Sequence, residues 1–209
     1  PHLWHIAGRA KVLGTLWRVG VALLLVLSML YPIMAVPARV NQRFSSGSPP
    51  RSTLDGTAYM EEAVYYWPDD DSRIEMHFDR EAIIWLWQHI EGTPVLAEAP
   101  VGFYREGGLR VCSYTGLPTL VGFHQNEQRS PTTVARRQQL ADTLYSTLDQ
   151  ERFLQIAQNL RVCYVYVGQL ERTIYAEHAL EKFDRLVAGG KLERVYSNER
   201  VRIYKVLRD

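Results

Sequence analysis

The chain has 209 residues, 46% of them hydrophobic, with 24 Lys plus Arg against 23 Asp plus Glu. These values exclude a disordered chain, which needs few apolar residues and a large net charge, and a disulfide-stapled miniprotein, which needs many more than the two cysteines present. A net charge of +1 also removes any whole-chain case for nucleic-acid binding, so no nucleic acid is expected as a partner.

The charges are unevenly placed. Residues 1–40 carry four basic side chains (Arg9, Lys11, Arg18, Arg39) and no acidic one, which leaves 20 basic and 23 acidic residues for positions 41–209, a net of −3. Between Arg18 and Arg39 lie 20 uncharged residues, Val19 to Ala38. At a helical rise of about 1.5 Å per residue they reach roughly 30 Å, the thickness of a bilayer's hydrocarbon layer. The first element is therefore read as a transmembrane helix with its flanks, residues 1–40, and the lipid bilayer as its partner. A buried core helix seldom runs this long without a polar face. A secretory signal, the main alternative, has a shorter apolar region and a small-residue cleavage site, to which Met34-Ala35-Val36-Pro37-Ala38 bears a faint likeness. Pro32 is compatible with a spanning helix whose freed backbone groups are satisfied by neighbours. Arg9, Lys11 and Arg18 before the span balance Arg39, Arg43 and Arg51 after it, so the positive-inside rule gives no orientation. Because the chain opens with Pro1 rather than Met, it is expected to be the C-terminal end of a larger protein.

Residues 41–53 follow as a linker: Ser45-Ser46-Gly47-Ser48-Pro49-Pro50 is too small, polar and Pro-rich to build a core. Residues 54–209 are the folded part, of normal size for one domain. Asp79 is expected to cap a helix through Glu91, with Phe78 and Ile83 as a hydrophobic staple, a stripe of Ile83, Leu86, Trp87 and Ile90, and a stop at Gly92. Pro94 to Ala97 and Leu117 to Phe123 read as short buried strands. Ser130-Pro131 opens a helix carrying Leu140, Leu144 and Leu148, and Asp149 caps another with Phe153, Ile156, Ala157 and Leu160 on one side. Val162 to Gly168 is a third strand. A helix from Thr173 to Val187 ends at Gly189-Gly190, and two strands, Glu193 to Ser197 and Arg200 to Leu207, turn at Asn198-Glu199.

Apolar strands alternating with helices indicate βαβ units. The expected fold is α/β: one N-terminal transmembrane helix, then a three-layer domain with a mostly parallel sheet and a C-terminal hairpin. Ligands of open α/β sheets bind beyond the carboxyl ends of the strands. There the first strand leads to Glu98 and Tyr104, the second to His124, Glu127, Gln128 and Arg129, and the third to Glu171 and Arg172. These eight residues are the candidate substrate-binding rim. The competing reading is an ion-pair network that orders the loops.

The remaining motifs do not reach a catalytic or cofactor signature. His124 and Glu127 lack metal-site spacing, and Asp69-Asp70-Asp71 lacks the Gly and Glu of a calcium loop and reads as a solvated turn. Gly107-Gly108 and Gly189-Gly190 have neither the spacing nor the setting of a phosphate loop, and no GxSxG elbow or Cys/His nucleophile pattern occurs. Cys163 in a strand reads as a small buried hydrophobe, and its pairing with Cys112 stays open. No metal, cofactor or catalytic residue is assigned.

The strings LDGTAYM (54–60), AIIWL (82–86), PVLAEA (94–99), RVCSYTGLPT (110–119), HQNEQR (124–129) and YVYVGQLER (164–172) together resemble the C-terminal part of the YYY family of polytopic membrane proteins of bacteria and archaea. TGLPT and NEQR are the most specific, while Cys112 and Phe123 depart from the family pattern. That family is similar to the C-type glycosyltransferases, multi-span enzymes using lipid-phosphate sugar donors. The resemblance implies that any catalytic residues lie upstream, in a transmembrane bundle of the same protein, and that residues 41–209 stand on the extracytoplasmic side of the cell membrane. It also implies an accessory domain contacting a lipid-linked sugar or a glycan acceptor, with a non-enzymatic packing or interaction module as the alternative.

Overall fold

The structure is a computed structural model describing residues 2–43, 53–67, 72–102, 107–122 and 128–208. The chain forms two compact units, Pro1–Pro49 and Pro50–Asp209.

The first unit is one helix, α1 (His2–Arg43). It takes in the first three residues read above as linker, and holds Pro32 and Pro37 within it. Leu, Val, Ala and Met are compatible with helix, and no polar face interrupts residues 19–38. The stretch Lys11–Arg39, 29 residues, is long and apolar enough to cross a membrane, and none of it is buried in protein. Leu16, Trp17, Leu24 and Met34 all stand exposed. A helix apolar on every side needs an apolar surrounding, and its length and composition suit a bilayer.

The second unit holds a 3-10 turn (Ala58–Glu61), a two-stranded ribbon of β1 (Val64–Tyr66) and β2 (Arg73–Glu75), and α2 (Met76–His89). Then come β3 (Val95–Ala97), α3 (Arg110–Thr115), α4 (Pro131–Ser146), α5 (Gln150–Asn159), β4 (Val162–Val167), α6 (Gln169–Ile174), α7 (Glu177–Ala188), β5 (Leu192–Ser197) and β6 (Arg202–Val206). The main sheet has the order β3-β4-β6-β5. Only β3 and β4 run parallel; β4 with β6 and β6 with β5 are antiparallel. The expectation of a mostly parallel sheet is therefore corrected to a mixed, mainly antiparallel one.

Two local causes explain the difference. The segment expected as a second parallel strand is not a strand over its described residues, 117–122. It gives the sheet one bond, Leu96 N–H to the Pro118 carbonyl at 2.9 Å. Pro118 has no N–H to return, so a ladder cannot continue through it. The C-terminal hairpin then fills the centre and the far edge. Its turn is fixed by Asn198, whose Oδ1 accepts from the backbone N–H of Arg200 at 3.0 Å and of Val201 at 2.7 Å.

Strand alternation builds a core on each face of the sheet. Val165, Val167 and Tyr204 point toward α4, α5 and α7, packing with Leu144, Tyr145, Phe153, Ile156 and Phe183. Tyr166, Ile203 and Leu96 point the other way, onto Phe78, Ala82, Ile83 and Leu86 of α2 and Val111 of α3. The Tyr145 hydroxyl lies 2.8 Å from the Ala97 carbonyl and 2.9 Å from that of Tyr166, joining α4 to the ends of β3 and β4. Asp149 caps α5 as expected, accepting from the N–H groups of Glu151 and Arg152. The helix expected over 173–187 is instead broken in two. Tyr175 is extended between α6 and α7, its hydroxyl on Asp142 at 3.0 Å and its ring stacked on Tyr145, and these contacts replace a continuous helix.

Candidate functional site

Glu98 follows β3 directly and is buried. Its Oε2 accepts from the Val111 N–H at 3.0 Å and its Oε1 from the Cys112 N–H at 3.1 Å, so it supplies the cap for α3. The turn before that helix is one few residues can make. Gly107 has φ +66°, Leu109 has φ +58°, and a Cβ on Gly108 would stand 2.2 Å from the Val101 carbonyl oxygen. A left-handed Leu costs on the order of 1–2 kcal/mol, and the carboxylate on the first free N–H groups of α3 offsets it.

Glu171, in the first turn of α6, is also buried. Its Oε1 accepts from the Ala99 N–H at 2.9 Å and its Oε2 from the Gly168 N–H at 2.8 Å. One side chain thus ties the loop after β3 to the loop after β4. Beside it, Asp79 and Arg110 form a buried ion pair at 3.2 Å, and the Tyr166 hydroxyl donates to Asp79 Oδ1. Asp79 Oδ2 faces the guanidinium without hydrogen-bond alignment. Gly168 closes the cluster: a Cβ there would meet Tyr166 Cε1 at 2.8 Å and Asp79 Oδ1 and Glu171 Oε2 at 3.2 Å.

In this interior one guanidinium is paired with Asp79 and lies within the electrostatic reach of two further carboxyl groups, Glu171 and Glu98. Burial pushes the Glu98 carboxyl up to about 7, against the lowering effect of its Cys112 and Val111 bonds, and the Glu171 charge raises it further. Glu171 is also raised by burial, its bonds to Ala99 and Gly168 opposing the shift. Burial disfavours the Arg110 charge, but Asp79 and the other acidic groups outweigh it and hold Arg110 above its ordinary value. Chemically, the cluster pins two loops and the start of α3 to the carboxyl ends of β3 and β4.

The eight candidate rim residues therefore fall in different places. Glu98 and Glu171 are brought together, facing inward, with backbone N–H groups as their partners. Arg172 is exposed over part of its surface, while its guanidinium is partly buried and Nη1 donates to the carbonyls of Val167 at 3.2 Å, Gly168 at 3.1 Å and Arg200 at 2.6 Å. Gln128 and Arg129 are exposed, and among the described residues neither bonds to Glu98, Glu171 or Arg172. Tyr104, His124 and Glu127 lie outside the described residues, as do Asp69, Asp70 and Asp71. Both cysteines are free. Among the described residues no group of three or more His, Cys, Asp and Glu side chains is placed to hold a metal ion.

Sequence reasoning missed Asp79, Arg110 and Tyr166 as members of the cluster. Asp79 is expected as a cap, but α2 begins three residues earlier, at Met76, and carries Asp79 inward. The signal was available: Asp79, Ala82, Ile83 and Leu86 stand at i, i+3, i+4 and i+7, the buried stripe of a helix. An acid on that stripe calls for a buried cation, and Arg110 is that cation.

No protein-family model matches this sequence, and no curated protein matches it. Among solved structures, the C-terminal globular domain of an oligosaccharyltransferase from Archaeoglobus fulgidus is similar over 61% of this chain and 95% of its own, at 15% identity and a TM-score of 0.41. The likeness is partial and assigns no role to any residue here.

Proposed function

We propose that this chain is the membrane anchor and accessory α/β domain of a C-type glycosyltransferase-like membrane protein, with residues 41–209 on the extracytoplasmic side and the chemistry carried upstream. The observation that carries membrane attachment is α1: 29 residues from Lys11 to Arg39 that can cross a bilayer and bury none of their surface in protein. The glycosyltransferase part rests on the sequence resemblance to the YYY family, strongest in Thr115–Thr119 and Asn126–Arg129.

In this reading the buried acids build the loops and the exposed polar residues meet the ligand. Gln128 and Arg129, with His124 and Glu127 next to them in sequence and Tyr104 from the segment after β3, contact a lipid-linked sugar or a glycan acceptor. Arg129 supplies a planar, permanently charged donor for a phosphate or carboxylate. Glu98 and Glu171 act through the backbone they hold.

A second reading is favoured by one specific observation: both described acids of the rim, Glu98 and Glu171, accept from two backbone N–H groups each. That arrangement suits a packing module that docks on a transmembrane bundle. The two are separated by expressing the full-length protein with Arg129→Ala and measuring sugar transfer from polyprenyl-phosphate donors beside the melting temperature. The accessory-site reading expects kcat/KM to fall about tenfold or more, the loss of a charged hydrogen bond, with an unchanged melt. Unaltered transfer by a normally folded variant rejects it in favour of the packing module.

A further inference from the structure

The folded unit is acidic as a whole, yet its C-terminal hairpin is not. Residues 50–209 hold 19 Lys and Arg against 23 Asp and Glu. From Arg185 to Arg208 there are seven basic residues and only two acidic ones, Glu193 and Glu199. The fold concentrates this charge at one point. Asp184 of α7 takes Arg202 Nη1 at 2.6 Å and the Tyr204 hydroxyl at 2.9 Å, and Arg194 Nη1 stands 3.8 Å from it. Arg172 joins from α6, close enough that the Arg202 charge disfavours its own, after the larger effect of burial. Arg202 and Arg194 thus share one carboxylate, and Arg172 stands next to Arg202 through its bond to the Arg200 carbonyl.

We propose that Arg194 and Arg202, paired with Asp184, and Arg172, held beside Arg202 at the C-terminal end of β4, form a binding site for a phosphate-bearing anion. Like charges repel, and a fold that sets them together leaves an excess of positive potential an anion can relieve. The donors are available. Arg194 is exposed and its ion pair with Asp184 is long, so its guanidinium is the most available of the three, while Arg172 and Arg202 engage their carbonyl and carboxylate partners through Nη1. The site is also preorganised, because the three carbonyls on its Nη1 hold the Arg172 guanidinium in place and reduce the ordering lost on binding. Paired N–H groups on planar guanidiniums match the oxygens of a phosphoryl group. The same chemistry is offered by a soluble phosphate compound and by a phosphomonoester headgroup in the bilayer. The inference does not depend on the sugar-transfer reading.

The test uses the full chain with two probes. Inorganic pyrophosphate is titrated by calorimetry into protein in nonionic micelles. Separately, arginine Nε–H resonances are compared in nanodiscs of phosphatidylcholine with and without phosphatidic acid. Binding of pyrophosphate identifies the soluble source, and a resonance shift confined to phosphatidic acid discs identifies the headgroup. In either case Arg194→Gln and Arg202→Gln are expected to weaken binding about tenfold each. Asp184→Asn is expected to tighten it severalfold by removing the carboxylate that competes for the same donors. Arg194, half exposed and weakly paired, is the substitution least able to disturb folding. The site is refuted if neither probe binds, if both arginine variants bind like the wild type, or if Asp184→Asn fails to tighten binding.

Discussion

Replacing Glu98 with Gln separates the two things that side chain does, which are to accept hydrogen bonds and to titrate. In the folded protein its carboxyl sits at about 7 instead of the ordinary 4.5. Between those values the folded state keeps a proton that the unfolded chain has lost. Stability contributed by Glu98 is therefore fully present below about pH 4.5 and declines as pH rises through 7, by about 3 kcal/mol at 1.36 kcal/mol per unit. Glu98→Gln removes that decline. It also replaces one acceptor oxygen with an amide that faces the Val111 or Cys112 N–H, leaving donors opposed at a cost of about 1–3 kcal/mol. The wild type should thus be the more stable protein at about pH 5, and the variant should equal or exceed it at about pH 8.5. Urea unfolding of the full chain in nonionic micelles, followed by the near-UV signal of half-buried Trp85 against Tyr196, gives both curves. A stability difference that stays constant from acid to alkaline pH would refute the account of a buried, titrating Glu98.

Lys182 is expected to act with the opposite sign. Burial lowers it to about 7 from 10.5, with the Arg185 charge adding to the effect, while its Nζ donates to the Tyr145 and Ala179 carbonyls. From about pH 7 to 10.5 the unfolded chain binds the extra proton, so stability rises with pH across that window; Lys182→Met should flatten the rise, and a rise that persists contradicts the assignment. Gly168→Ala pushes a methyl to 2.8 Å from Tyr166 and 3.2 Å from Asp79 and Glu171. The overpacking should lower stability by about 1–3 kcal/mol, visible as a lower melting temperature, while an unchanged melt would mean the two loops are not held as tightly as the bonds of Glu171 indicate.

The parts of this fold that could be read from the sequence are those decided locally. Asp149 caps α5 because a short acid before Phe153 and Ile156 has backbone N–H groups within reach whatever the tertiary structure. The strand over Val162–Val167 and the hairpin turn at Asn198 are likewise written in a few adjacent residues. Sheet direction is not local. Leu117–Gly122 has a strand's composition, yet Pro118 limits its pairing, and Tyr175 breaks a helix through contacts to Asp142 and Tyr145 that lie 30 or more residues away. The candidate site shows the same division. Strand ends direct attention to Glu98 and Glu171, but the identity of their partners depends on how α2 and α3 pack, which places Asp79 and Arg110 in the cluster and turns both acids toward backbone.

The side of the membrane on which the folded unit stands can be read by labelling. In a background where Cys112 and Cys163 are replaced by Ser, a cysteine is introduced in place of exposed Glu177 at the start of α7 in the full-length protein. Intact cells are treated with a membrane-impermeant maleimide before and after permeabilisation. An extracytoplasmic α/β domain anchored by α1 predicts full labelling of intact cells and no further gain on permeabilisation. Labelling that appears only after the membrane is opened would place the domain in the cytoplasm, and recovery of the protein in the soluble fraction would remove the anchor.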